Sequence, residues 1–243
     1  MSPQAPLKQA LREEVWAALR RAGAARFPGV EGRIPNFTGA EAAAGLLAQT
    51  KAWRVAQMVK ANPDSPQWPV RIRALAEGKV VYMAVPRLTE DRPFWRLDPR
   101  RLEVPARRAC SIKGAARHGQ PVTLEEMERI DLVVCGSVGV DRAGARVGKG
   151  GGYSDLEFGL TSEAGLIGQW TVTATTVHPV QMVEEGRIPM TAHDFPVDLV
   201  VTTDQVIETG GAHPRPEGIL WEDLSAEKIA AVPALQQLRR VRP

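Results

Sequence analysis

Hydrophobic positions recur every three to four residues through "PLKQALREEVWAALRRAG". Leu7, Leu11, Val15 and Leu19 fall on one face, which predicts an amphipathic helix. Lys8 and Arg12 lie one turn apart on another face. "TGAEAAAGLLAQTKAWRVAQMVKA" predicts a second helix, opened by a capping box of Thr38 and Glu41, and then a short buried strand near 56–59. "NPDSPQWP" reads as a loop, and Pro69 opens a helix that stops at Gly78. "KVVYMAV" is apolar and rich in valine, a buried strand leading to Pro86 and Arg87 and then to an irregular stretch rich in Arg, Pro and Trp. "TLEEMERI" predicts a helix capped by Thr123 and Glu126, and "DLVVCGSVGV", apolar on both faces, a central parallel strand. "SDLEFGLTSEAG" continues as a helix, and "TVTATTV" and "VDLVVTT" as two further strands. Strands alternating with helical segments predict an α/β fold with a mostly parallel sheet. Residues 1–208 read as one α/β domain, and 209–243 as a C-terminal extension around a short helix.

Composition narrows the class. The 243 residues suffice for one sizeable core, and 44% apolar with 24% charged residues is an ordinary globular balance. A net charge of +3 is too mild to argue for nucleic acid, which is possible but not favoured as a partner. Cys110 and Cys135 offer neither a disulfide framework nor metal-ligand spacing. No apolar run approaches the ~20 residues of a membrane span, and the N-terminus lacks a signal-type apolar core. The expectation is a soluble, cytoplasmic protein without a membrane partner.

The stretch "RVGKGGGYSD", residues 146–155, holds four glycines, two cations and a terminal carboxylate. Ligands of open α/β sheets gather at the carboxyl ends of the strands, where the preceding strand places this segment. Successive backbone N–H groups in such a turn can converge on an anion, with Arg146 and Lys149 adding charge. Asp155 is suited to a hard divalent cation bridging phosphate oxygens. The stretch is neither a Walker A sequence nor a dinucleotide fingerprint. On spacing alone it reads equally as a phosphate cradle and as a glycine-rich hairpin with solvated cations.

"DLVVCGSVGVDRAGARVGKGGGYSD" resembles the signature of the 5-formyltetrahydrofolate cyclo-ligase family, ungapped from Asp131 to Asp155. Lys8 and Arg12, "GKVVYMAVPR" and "IPMTAHDFPVDLVVTT" resemble further family features in the same order, so the likeness runs over residues 7–204. The resemblance implies a three-layer α/β sandwich similar to the ribose-phosphate isomerase and CoA transferase fold. It implies ATP- and Mg²⁺-dependent conversion of 5-formyltetrahydrofolate, or a related reduced folate, to 5,10-methenyltetrahydrofolate with release of ADP and phosphate. By the same likeness Lys8, Arg12, Arg146, Gly148, Lys149, Gly150, Gly151, Gly152 and Tyr153 would bind ATP. Lys149 and Tyr153 would act in catalysis, Asp64 and Tyr153 would meet the folate, and Asp155 and Asp194 would hold Mg²⁺.

The pattern also departs from the family. Gly151 stands where the family has Lys, Ser154 replaces a second Tyr, Val140 an aromatic residue, and Lys149 an Arg, which removes bidentate geometry. The folate side diverges further: Asp64 is a shorter acid than the family's, and "CSIKGAARHGQP" replaces a characteristic stretch. Trp68, Phe94, Trp95 and Arg117 are candidates for a different pocket, although Trp68, Trp95 and Trp221 read more readily as packing. "IPNFTGAEAAAGLLAQ", "NPDSPQWPVRIRAL" and "VGKGGGYSDLEFGL" are closer to a subgroup, the methenyltetrahydrofolate synthetase domain-containing proteins. The alternative function is a nucleotide- or RNA-associated binding protein without cyclo-ligase activity. His178 reads as a loop histidine satisfied by hydrogen bonds, and His193 and His213 as surface residues.

Overall fold

A computed structural model describes residues 4–241; residues 1–3 and 242–243, at the outer ends of the two predicted segments, lie outside it. The strands are β1 (Met58–Ala61), β2 (Val80–Ala84), β3 (Phe94–Leu97), β4 (Gln120–Val122), β5 (Leu132–Cys135), β6 (Gly139–Val140), β7 (Arg146–Val147), β8 (Val172–Thr176), β9 (Leu199–Val201) and β10 (Val206–Glu208). The helices are α1 (Ala5–Arg21), α2 (Ala40–Ala48), α3 (Lys51–Val55), α4 (Trp68–Ala76), α5 (Ala106–Ala109), α6 (Ile112–His118), α7 (Tyr153–Glu163), α8 (Ala226–Ala231) and α9 (Pro233–Val241).

Eight strands form one sheet in the order β10-β9-β8-β5-β1-β2-β3-β4, while β6 and β7 form a separate ribbon. The interior pairings, β1 with β2 and β5, and β8 with β5 and β9, are parallel. Both edges turn antiparallel. Strand pleating sends alternate residues to opposite faces. Val80, Tyr82 and Ala84 of β2 therefore join Val133 and Cys135 of β5 in a core with Phe158 and Leu160 of α7. Val81 and Met83 join Leu132 and Val134 in a second core with α2, α3 and α4. The result is helices on both faces of a mostly parallel sheet, the predicted α/β class. Helix α1 packs through Leu11, Val15, Trp16 and Leu19 on a third cluster containing Val138 and Val147.

Several local expectations are corrected. Leu7 is 63% exposed and takes no part in the buried face of α1. Helix α2 is capped by Gly39 instead of a Thr38–Glu41 box, because Thr38 spends its N–H and hydroxyl on the Ala24 carbonyl. Residues 123–130 form a turn and not a helix. Thr123 N does donate to Glu126 Oε2 at 2.9 Å, but Glu128 N donates to the Tyr82 hydroxyl at 3.1 Å, outside any helical ladder. Leu124, Met127 and Ile130 fill the core from that turn. The run "DLVVCGSVGV" is two strands, since the chain leaves the sheet at Gly136 and pairs again only at Gly139. The stretch expected to be irregular contains β3, β4, α5 and α6.

Candidate active site

β1 lies between β2 and β5, so the connections leaving its carboxyl end and that of β5 separate in opposite directions. Such a reversal of strand order opens a crevice at the sheet's edge. A cleft of about 930 Å³ lies there, lined by Asn62–Ser65 after β1, Pro86 and Arg87 after β2, Gly136 after β5, the glycine loop 148–152 and the start of α1. Asp155, Glu157, His193 and Asp194 complete its wall.

The glycine loop leaves β7 and turns into α7. Gly150 and Gly152 have φ of +101° and +67°, a backbone conformation that side chains rarely adopt. Gly152 is the residue from which α7 starts, so the loop delivers Tyr153 and Asp155 in the helix's first turn. Arg12 braces the loop from α1 by donating Nε to the Gly148 carbonyl at 2.6 Å. Burial lowers the Arg12 guanidinium from its ordinary value, while Asp194 and Asp155 both act to raise it, so this cation stands within the field of both carboxylates.

Every predicted site residue but one lines this cleft: Lys8, Arg12, Asp64, Gly148, Lys149, Gly150, Gly151, Gly152, Tyr153, Asp155 and Asp194. The exception is Arg146, whose side chain is 1% exposed and does not reach the cleft, a correction to its reading as a phosphate ligand. It pairs with Asp155 Oδ1, donates Nε to the Phe195 carbonyl at 3.2 Å and lies 3.9 Å from the Phe195 ring centre. Burial opposes its charge, but Asp155, with smaller help from Asp194 and Glu157, lifts it above its ordinary value. Arg146 is thus a positioning residue that fixes the Asp155 carboxylate.

Two further ion pairs form at the cleft. Lys149 reaches Asp64 at 2.9 Å, bridging the two walls. Lys8 meets Asp194 Oδ2 at 2.5 Å, and the Thr191 N–H and hydroxyl donate to the same oxygen at 2.7 and 2.6 Å. Burial alone would raise the Asp194 carboxyl, yet Lys8 and Thr191 outweigh it and hold the group below its ordinary 3.8. Among the described residues Asp194 Oδ1 has only the His193 ring, 4.0 Å away. Among the described residues no three His, Cys, Asp or Glu side chains cluster as a metal cage. Two carboxylates each engaged through one oxygen suit a cation that keeps its waters and phosphate ligands.

A network missed by the sequence reading lies under the glycine loop. Lys60, fully buried in β1, pairs with Glu157 of α7. Asn62 Nδ2 donates to the same Glu157 oxygen at 2.9 Å, while Asn62 Oδ1 accepts from Gly136 N and the Ser154 hydroxyl, each at 3.3 Å. The signal was present: a lone lysine inside a buried strand requires a buried anion. Arg71, also buried, donates to the carbonyls of Asn62, Pro63, Asp64 and Cys110 and so shapes the loop after β1. Burial lowers that guanidinium to about 10.

The alternative pocket does not form. Phe94 and Trp95 are buried in β3, Trp68 packs under Arg107, and Arg117 is exposed away from the cleft. Trp221 packs on the core. His178 accepts from Val180 N at 3.2 Å, the expected loop role. Burial pushes the Cys110 thiol up to about 12 and raises Cys135 as well, which leaves both inert at neutral pH.

The family model for 5-formyltetrahydrofolate cyclo-ligases matches residues 4–203. The chain is 37% identical over 235 residues to the methenyltetrahydrofolate synthase domain-containing protein of Mus musculus, covering 96% of this chain and 63% of that one. The Homo sapiens protein of the same name is 34% identical over 235 residues, covering 96% and 61%. The chain therefore spans somewhat under two thirds of these relatives. The mitochondrial 5-formyltetrahydrofolate cyclo-ligase of Arabidopsis thaliana is 33% identical over 87 residues, 35% of this chain and 31% of that one. The NMR structure of Aquifex aeolicus 5,10-methenyltetrahydrofolate synthetase superposes with a TM-score of 0.54 at 19% identity, covering 90% of this chain and all of that one. That likeness shows a shared fold.

Proposed function

The chain belongs to the 5-formyltetrahydrofolate cyclo-ligase family, and on that premise we propose that it converts 5-formyltetrahydrofolate, or a related reduced folate, to 5,10-methenyltetrahydrofolate while ATP becomes ADP and phosphate. The observation that carries this reading is the convergence of the glycine loop, Arg12, Lys149 and two carboxylates on one crevice at the sheet's carboxyl edge.

The chemical obstacle is the formyl oxygen, a poor leaving group. Attack of that oxygen on the γ-phosphorus breaks the bond to ADP and leaves the oxygen phosphorylated. N10 then attacks the formyl carbon, the carbon–oxygen bond breaks, phosphate departs with the oxygen, and the N10 proton passes to solvent. Such transfers need positioning and charge neutralisation more than covalent chemistry from the protein. In this reading the loop N–H groups and Arg12 hold the phosphates. Lys149 exchanges its Asp64 partner for the phosphoryl group in flight. Asp64, so released, accepts from the folate, and Tyr153 separates the two ligands. Asp155, oriented by Arg146, and Asp194, oriented by Lys8 and Thr191, would hold Mg²⁺, which when bound spreads the phosphate charge.

The alternative, a nucleotide- or RNA-associated protein without turnover, draws less support, because Arg92, Arg96 and Arg100 of the basic segment pair with Glu126, Glu128 and Asp98. Incubation with 5-formyltetrahydrofolate and Mg·ATP tests the proposal. Joint appearance of ADP and the methenyl chromophore is expected, with a loss of about tenfold or more in Asp155→Ala. Folded protein that yields neither product refutes the activity. Turnover indifferent to Asp155→Ala removes that carboxylate from the site.

A further inference from the structure

The chain returns to the cleft after its last strand. Val232 and Leu235, both fully buried, anchor the connection between α8 and α9 in the same core as α7. The Ser225 hydroxyl caps α8 by accepting from Lys228 N at 3.1 Å, which sets Lys228 in the helix's first turn. From there Lys228 Nζ donates to the Gly151 carbonyl at 3.1 Å and lies 3.3 Å from the centre of the Tyr153 ring. Asp223, just upstream, approaches the His193 ring at 3.2 Å, beside Asp194. The segment thus touches the cleft's rim at two places.

The charges there are unequal. Lys8, Lys149 and Arg146 each meet a carboxylate. Lys228 meets only a carbonyl and a ring face among the described contacts, both neutral, so its charge on the glycine loop is uncompensated. A lysine ammonium carries three N–H donors, and the Gly151 carbonyl takes one. Residue 151 itself brings no side chain, although its backbone would accept one. A Cβ there would come within 3.1 Å of Tyr153 Cδ2, a ring that has only to shift slightly, and φ is not in the left-handed region.

We propose that Lys228 is a phosphate-binding residue of the glycine loop, delivered by the C-terminal segment to supply the cation that position 151 lacks. The proposal rests on the nucleotide reading above. It concerns a residue outside the 4–203 span that matches the family model.

Calorimetric titration of Mg·ATP into wild type, Lys228→Met, Lys228→Gln and Lys228→Arg tests it. Loss of one charge-assisted contact is expected to weaken binding about tenfold in the Met and Gln variants and little in Arg. Gln retains a donor for the Gly151 carbonyl, so weak binding by Gln as well as Met assigns the effect to charge. Adding Gly151→Lys to Lys228→Met is expected to restore affinity, and the wild type to lose affinity with salt more steeply than Lys228→Met. Equal affinity of wild type, Met and Gln, with only the melting temperature lowered, makes Lys228 a strut and overturns the inference alone. Wild type that binds no Mg·ATP overturns the nucleotide reading and this inference together.

Discussion

Replacing Lys60 by Met leaves Glu157 buried without its cation. The pair is shielded from solvent, with side chains 0% and 6% exposed, so screening offers no relief. Breaking such a pair by removing one partner costs roughly 3–5 kcal/mol. Asn62 Nδ2 remains as a donor and keeps the loss at the lower end. Against a total of about 5–15 kcal/mol, the variant folds but sits near its limit. Urea unfolding, with Glu157→Gln and the double variant closing the cycle, measures the loss. Removal of both charges is expected to recover most of it. A loss below about 1 kcal/mol refutes the reasoning.

Two further outcomes follow from geometry. Gly144 turns the β6–β7 ribbon with φ +89°, and an added Cβ would lie 2.3 Å from the Val197 carbonyl oxygen, so Gly144→Ala is expected to cost about 2 kcal/mol or more in chemical denaturation. Burial lowers His178 from its ordinary 6.5, with Asp204 opposing weakly. The unfolded chain therefore binds the proton first, and this contribution to stability, full above 6.5, is lost as pH falls below it. His178→Asn, which retains an acceptor for Val180 N, is expected to flatten the melting temperature between about pH 7.5 and 5, as a thermal scan will read.

What the sequence made legible divides by distance along the chain. The glycine loop was readable because its chemistry is contiguous: ten residues carry the turn, the cations and the carboxylate. The strands "KVVYMAV" and "TVTATTV" were readable because they are rich in β-branched residues and bounded by turn residues. By contrast β3 and β4 are short strands at one end of the sheet that contain Arg96 and Pro121, and their antiparallel pairing is written in no local period. Arg146 misled because its type suits phosphate. Its direction is set by Asp155 and by Phe195, which lies 49 residues further on. Lys60 and Glu157 are 97 residues apart, and only folding makes them one group.

The crossing point beneath the cleft has an evolutionary consequence. One wall is encoded by the turn after β1, the other by residues beyond Gly136, and the Lys149–Asp64 pair joins the two. A lineage can therefore edit either stretch while the strand that carries the other stays in place. Asp64 on one wall and Lys149 on the other are free to change one at a time, because neither belongs to a strand of the sheet.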